Sequence, residues 1–419
     1  MTAVATNTCL TCGGRLGPVF YKADAVPVHS CLLLDTTDKA LAFPRGDVRL
    51  APCHDCGTIT NVEFDGKWSA YSPEYEDQQS FSPTFNSFAG RLAQDLTARH
   101  DLGGETVIDI GCSKGDFLAL MCEAGASRGI GIDPSVVDGR VGKPSQGTLE
   151  LISGYYAEDH TTLPAKLISN RHTLEHVHDV HGMLTRMHRH AVKAGDAVTF
   201  IEVPSMTRVL EDCAFEDIYY EHCSYFTPGA LARALRKAGF GVTRLWFDYD
   251  DQYLLAEAST DPAQDVSFDI EEPVSAVLDM VADFEARAAA LTASWRTFLA
   301  GAEARGERVA IWGSGSKCIA FWHATDHPAA VSSIVDINPN RWGKHPPGLP
   351  LPISEPESLR FEKPDVVIAM NAIYKDEISA DLAAMGVETK VVTLGSTLPE
   401  LGNVPLAELA GVPEGMGSR

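Results

Sequence analysis

The stretch over residues 107–133 constrains the fold more than any other. VIDIGCSKGDFL reads as a buried strand, a glycine turn and the start of a helix, and RGIGID reads as the next buried strand. Gly111 and Gly115 would let the backbone pass close to a ligand, with free N–H groups at the helix N-terminus facing it. The alternation continues through AKLISN and AVTFIEV to about residue 258. That pattern demands an α/β fold with a parallel sheet covered on both faces. A second alternating region, RVAIWGSGS, SSIVDIN, PDVVIAM and TKVVTLG, predicts another Rossmann-like sheet. Helices are expected over 84–99 and 274–305, and the polar, acidic stretch 259–273 reads as a linker.

The turn is not the GxGxxG of a dinucleotide site. Asp109 precedes Gly111 by two positions, where a carboxylate would anchor a cationic amino-acid group. Asp133 ends the following strand, where a carboxylate would accept both hydroxyls of a ribose. An acidic turn with no provision for pyrophosphate suits S-adenosylmethionine, which has a ribose, a sulfonium and an amino-acid tail. The strand end SGYYAED places Tyr156 and Ala157 beside the adenine, and His172 joins the cofactor-binding set.

Cys9 and Cys12 form one CxxC knuckle, and Cys53 and Cys56 a second, each followed by Gly. Two such knuckles make a four-thiolate site for zinc, closed and therefore structural. The reading divides the chain into a zinc-binding N-terminal lobe (1–70), a class I methyltransferase domain (71–262) and a Rossmann-like C-terminal domain (263–419). At 419 residues the chain is long enough for all three.

Six histidines lie between His172 and His190. His172, His176 and His178 follow a strand at the carboxyl edge, where such sheets bind ligands. His181, His188 and His190 lie further along a helix and read as solvated or partly packed. An HxxxH pair at 172 and 176 could bind metal, but an acid/base role is preferred for His176. A second cluster crowds Tyr219, Glu221, His222, Tyr225 and Phe226 ahead of a helix begun by Thr227-Pro228. Tyrosine and phenylalanine there could be plain core. Methyl transfer to carbon accounts for the composition better, because the carbon must first lose a proton to a base, which a carboxylate orients while a phenol stabilises the enolate.

The formal charge of -23 leaves no basic face for nucleic acid. No apolar run is long enough to span a membrane, and the N-terminus does not read as a secretory signal. The expected location is cytoplasmic, the expected state a monomer or homodimer, and the expected partner a small molecule.

Taken in order, the double knuckle, VIDIGCSKGDFL, LEHVHD, IEVPS, YYEHCSYF and IVDINPNRWGKHPPGLPLPI resemble the bacterial sugar C-methyltransferases over nearly the whole chain. The resemblance implies a three-domain enzyme of antibiotic biosynthesis that methylates a ketone-activated carbon of a nucleotide-linked deoxysugar. It implies that His222 removes the proton alpha to the ketone and that Glu221 supports it. Tyr219, His176 and Tyr75 would then line the reacting sugar. The C-terminal run VAIWGSGSKCIAFW with IVDINPN reads as a mononucleotide-binding half, with Gly313, Gly315 and Asp336. A degenerate half that packs on the methyltransferase domain or grips the substrate nucleotide is preferred to a working dinucleotide site. Lys317, Asn338, Lys344 and Lys375 could supply positive charge there, and the resemblance favours gripping. The segment VPVHSCLLLDTTDKALAFPRGDVRL is longer than its counterpart in that family, and HTLEHVHD is richer in histidine. Another small-molecule acceptor, a non-sugar carbon acid or an oxygen or nitrogen, is the same-fold alternative. A non-catalytic binding protein is the alternative of a different class.

Overall fold

The computed structural model describes residues 8–68, 70–326 and 328–395. They form two compact units of interleaved segments. The first takes the described residues up to Val19 together with Leu50–Thr207 and Glu221–Leu278. The second takes Phe20–Arg49, Arg208–Tyr220 and the described residues from Asp279 onward. This division cuts across the consecutive stretches read from the sequence. The segment between the two cysteine knuckles pairs with residues far down the chain: Leu34 and His345 exchange backbone hydrogen bonds of 2.9 and 2.8 Å, and Gly348 donates to Ala40. Residues 1–70 therefore contribute to both units.

The first unit is built on a seven-stranded sheet. Its order from edge to edge is Gly241–Asp248, Tyr253–Ser259, Val198–Pro204, Leu167–Arg171, Thr106–Ile110, Arg128–Asp133 and Thr148–Ser153. The strands from Val198–Pro204 to Thr148–Ser153 are parallel, whereas Tyr253–Ser259 is antiparallel to both of its neighbours. Buried runs such as Val107, Ile108 and Ile110 fill the sheet's core, with Met183, Leu184 and Met187 of helix Val180–Lys193 among the buried apolar residues. The order in which the strands are added reverses at Thr106–Ile110: the next two strands lie on one side of it, and Leu167–Arg171 and Val198–Pro204 on the other. The carboxyl ends on that reversal frame a crevice, as expected for an open α/β sheet.

Helix Pro83–His100 matches the helix expected over 84–99, with Ser82 as N-cap accepting from the Phe85 amide. The stretch 274–305 is two helices, Val274–Val281 and Phe284–Arg305. The Asp283 position, favoured at a helix start, restarts the chain there. The expected linker 259–273 is tied down rather than free. Arg236 holds Asp265 and Glu271, while Thr227 and the Gly229 amide hold Glu272.

The second unit carries a five-stranded, all-parallel sheet, in the order Ile353–Ser354, Val331–Val335, Val309–Trp312, Val366–Ala369 and Lys390–Thr393. Its core includes Ala310, Trp312, Val335, Val367 and Leu382. Trp295 of helix Phe284–Arg305 is fully buried, edge-on to Phe321 at 5.1 Å. Among the described residues no helix is long and apolar enough to cross a membrane.

Candidate active site and cysteine cluster

The glycine turn is shaped by steric need. Gly111 has φ +78°, and a Cβ there would overlap the Thr173 side chain. Ser113 (φ 51°) and His172 (φ 46°) also lie in the left-handed region at the same sheet edge, although neither is glycine. Asp133 is spoken for on both oxygens: Ser113 N donates to Oδ2 at 3.0 Å and Ser135 N to Oδ1 at 2.6 Å. Each oxygen keeps a lone pair for a further donor.

A cavity of about 360 Å³ opens here. Gly111, Asp133, Tyr155, Tyr156, His172, Thr173, His176, His178, Tyr71, Tyr75 and Asp77 are among its walls. Gly111, Asp133, Tyr156, His172, His176 and Tyr75 are thus brought together as the sequence suggested. Three cofactor-site expectations fall elsewhere, and of the catalytic candidates His222, Glu221 and Tyr219 are not among the cavity's walls. Asp109 is only 2% exposed and accepts from Ser169 Oγ at 2.7 Å within the sheet, so it faces no ligand; burial pushes its carboxyl up to about 6. Gly115 caps helix Asp116–Glu123 with φ 94° and is not part of the cavity wall. Ala157 is exposed outside the cavity, where its amide donates to His160 Nδ1. Tyr156 turns its hydroxyl to His190 Nδ1 at 2.9 Å, and His190 is fully buried rather than solvated.

Behind the cavity lies a polar core. The Arg171 guanidinium grips Glu202 with bonds of 2.7 and 2.9 Å, and His172 Nε2 is 2.7 Å from the same carboxylate. Burial disfavours the charge on Glu202, but Arg171 and His172 outweigh it and hold the group at about 2. For His172, burial again opposes charge, while Glu202 and Glu175 lift it to about 9. His172 therefore presents an imidazolium to the cavity at neutral pH.

Tyr71 OH and His176 Nδ1 are 2.7 Å apart, and Tyr71 stands edge-on to Tyr75 at 4.9 Å between ring centroids. The His222 ring meets His176 edge-on at 4.7 Å and Tyr225 at 5.6 Å. Burial, reinforced by His176 and His172, pushes His222 well below its ordinary value and keeps it neutral. Glu175, which the sequence reading passed over, brings a carboxylate oxygen within 4.8 Å of ring nitrogens of both His176 and His222. It is 2% exposed, and no hydrogen-bond donor reaches either of its oxygens. Tyr71 and Asp77 were also missed. Their signal is the aromatic, acidic run YSPEYED ahead of helix Pro83–His100. Glu221 is buried in the first unit, while Tyr219 belongs to the second.

The four cysteines converge as their spacing requires. Their sulfurs lie within 4.8 Å of one another, with Cys9–Cys56 at 3.6 Å and Cys12–Cys53 at 3.5 Å. A tetrahedral thiolate site with metal–sulfur bonds of about 2.3 Å has sulfur–sulfur edges of about 3.8 Å. Backbone amides of Thr11, Gly14 and Asp55 point at Cys9, Cys12 and Cys53, as thiolate acceptors demand. Gly13 and Gly57 take the left-handed turn after each knuckle. The donor set fits a tetrahedral metal ion.

In the second unit the turn repeats the pattern of the first. Ser314 N donates to Asp336 Oδ2 at 2.8 Å and Asn338 N to Oδ1 at 2.9 Å. Ser314 Oγ adds a third bond to Asp336. Lys317 and Lys344 are paired with Asp217 and Asp35, and Lys375 is exposed.

Comparison with known proteins finds similarity in both halves of the chain. Residues 85–245 match the methyltransferase domain family, and residues 259–393 match the C-methyltransferase C-terminal domain. The C-methyltransferase NovU of Streptomyces niveus is 26% identical over 321 residues, 70% of this chain and 74% of that protein. A putative S-adenosylmethionine-dependent methyltransferase from Listeria monocytogenes aligns at 14% identity and TM-score 0.33, covering 42% of this chain and 99% of that one. A putative methyltransferase from Bacillus halodurans aligns at 13% and TM-score 0.33, covering 40% and 98%. The chain has the class I fold and is an S-adenosylmethionine-dependent methyltransferase, with a methyltransferase domain over residues 85–245 and a C-methyltransferase C-terminal domain over residues 259–393.

Proposed function

We propose that this enzyme methylates carbon, and that its acceptor is a nucleotide-linked keto-deoxysugar activated by the ketone. The observation that carries the reading is the buried imidazole of His222, which stands edge-on at 4.7 Å behind the cavity-lining ring of His176. A neutral ring is the form able to take a proton. The C-methyltransferase C-terminal domain and the likeness to NovU support carbon as the target. The sequence motifs shared with sugar C-methyltransferases support the sugar.

S-Adenosylmethionine, when bound, supplies an electrophilic methyl group to the acceptor carbon. Asp133 and the Gly111 turn hold the cofactor's ribose and tail, with Tyr156 toward the adenine. His222 accepts the proton alpha to the ketone; the C–H pair moves into the new enolate and its charge onto the carbonyl oxygen. The His172 imidazolium and the Tyr75 and Tyr71 phenols, with Glu221 in a supporting role, stabilise that oxygen and orient the sugar. The pair would return through carbon to the methyl group as the methyl–sulfur bond breaks, its electrons passing to sulfur so that a neutral thioether leaves, and the proton would leave His222 past His176. The cysteine cluster holds a structural zinc, and the C-terminal domain grips the nucleotide.

Incubation with the cofactor and a panel of nucleotide-linked 4-keto sugars tests this. A new C-methyl resonance, with solvent deuterium entering the alpha carbon, is expected. A methyl on oxygen or nitrogen overturns the enolate mechanism.

A further inference from the structure

The glycine turn does more than face the cavity: its Ser113 and Lys114, with Asp116 of the helix that follows, clasp a separate segment. Lys114 is fully buried, and its ammonium donates to the Tyr75 carbonyl at 2.8 Å and the Ser135 carbonyl at 2.5 Å. Ser113 Oγ donates to Asp77 Oδ1 at 2.6 Å, and Gln78 Nε2 donates to Asp116 at 2.8 Å. Arg140 holds Glu76 at 2.6 Å and Gln78 at 2.9 Å. Four successive residues, Tyr75 to Gln78, are thereby fastened over the turn. The fastening fixes one carboxylate, Asp77, in the cavity wall.

That carboxylate fills a vacancy in the expected chemistry. A cofactor with a cationic amino-acid tail needs an acceptor beside the glycine turn, and Asp109 is turned away into the sheet. Asp133 stands at the ribose position. Asp77 shares Ser113 with Asp133, and both carboxylates line the same cavity. Its Oδ1 takes the Ser113 hydroxyl, and a carboxylate has capacity for further donors. Burial pushes the group up to about 6, with Asp133 adding to the rise. A cation seated next to it would offset that cost.

We propose that Asp77 binds the α-ammonium group of S-adenosylmethionine, and that Ser113 and Lys114 hold it in position to do so. This rests on the cofactor reading above and adds the residue that recognises the tail.

The test is calorimetric binding of three ligands to the whole protein. S-Adenosylmethionine has the ammonium and the sulfonium, S-adenosylhomocysteine only the ammonium, and 5′-methylthioadenosine neither. Asp77→Asn, nearly isosteric, should weaken the first two equally, by roughly tenfold to a hundredfold, and leave the third unchanged. Ser113→Ala should do the same to a smaller degree. Wild-type affinity for the first two should also fall as pH drops through about 6, a dependence absent from D77N. A selective loss for S-adenosylmethionine would assign Asp77 to the sulfonium instead and overturn the proposal. An equal loss for all three would reduce it to a fold effect and overturn it too. Wild-type protein that binds none of the ligands overturns the cofactor reading itself, whereas unchanged D77N affinities overturn this inference alone.

Discussion

Tyr71 and His176 are joined by a 2.7 Å hydrogen bond across 105 residues of sequence. The bond sets the ring of His176, against which His222 stands edge-on. One phenol, four residues ahead of the clasped Tyr75, thus fixes the imidazole against which the second one packs.

Replacing that phenol isolates its contribution. Tyr71→Phe keeps the ring contact with Tyr75 and loses the bond, so turnover should fall by roughly tenfold with little change in cofactor affinity. Steady-state kinetics beside calorimetry will separate the two. A fall in cofactor binding equal to the fall in turnover would place Tyr71 in the cofactor site instead.

His222→Ala should bind S-adenosylmethionine normally and lose turnover by roughly two orders of magnitude or more. Exchange of the acceptor's alpha proton with heavy water should stop as well. His176→Ala should slow methyl transfer but leave measurable exchange. If exchange survives in H222A and disappears in H176A, the cavity-facing ring is the base.

The Arg171–Glu202–His172 cluster makes a pH prediction with opposite signs at its two ends. Glu202 is held at about 2, below its ordinary 4.5, so its contribution to stability is present above 4.5 and lost as pH falls through 2. His172 is raised from 6.5 to about 9, so its contribution is complete below 6.5 and lost as pH rises through 9. The cluster as a whole stabilises most between about pH 4.5 and 6.5. Thermal melts of wild type minus His172→Gln should show a difference that shrinks from pH 6.5 to 9. A constant difference would mean that His172 does not carry the charge.

Metal analysis tests the cysteine cluster. Wild type should carry about one zinc per chain, and a Cys9→Ser, Cys53→Ser double variant should carry none and melt at lower temperature. Arg233 Nε donates to the Cys56 carbonyl at 2.9 Å, so helix Pro228–Lys237 should loosen with the metal's loss. Unchanged metal content in the double variant would refute the site.

Much of this was legible because local spacing dictated it. The CxxC pairs, the strand–glycine–helix run and the buried Val–Ile strands each follow from neighbours in sequence. Asp133 was readable for the same reason, since it ends a strand beside the glycine turn. Asp109 misled because a carboxylate two positions before Gly111 sits on a strand whose alternate residues point away from the crevice. It found Ser169 in the sheet instead. Asp77, Tyr71 and Glu175 could not be read from spacing. Their roles depend on contacts across 36 residues for Asp77–Ser113 and 105 for Tyr71–His176, and on the juxtaposition of Glu175 with His222. The interleaving of the two units was hidden for a similar reason, because Leu34 pairs with His345.

The paired turns have a consequence for anyone wishing to redesign this chain. Ser113 and Ser314 occupy the same place, each donating its amide to the aspartate at the end of the next strand. They differ in where the hydroxyl goes. That of Ser113 reaches out to Asp77, whereas that of Ser314 folds back onto Asp336 and uses up one of its acceptor positions. A single oxygen atom thus separates an outward-looking turn from a self-satisfied one. Engineering a second nucleoside pocket would begin at Ser314, with the first unit's turn as the blueprint already encoded in the same polypeptide.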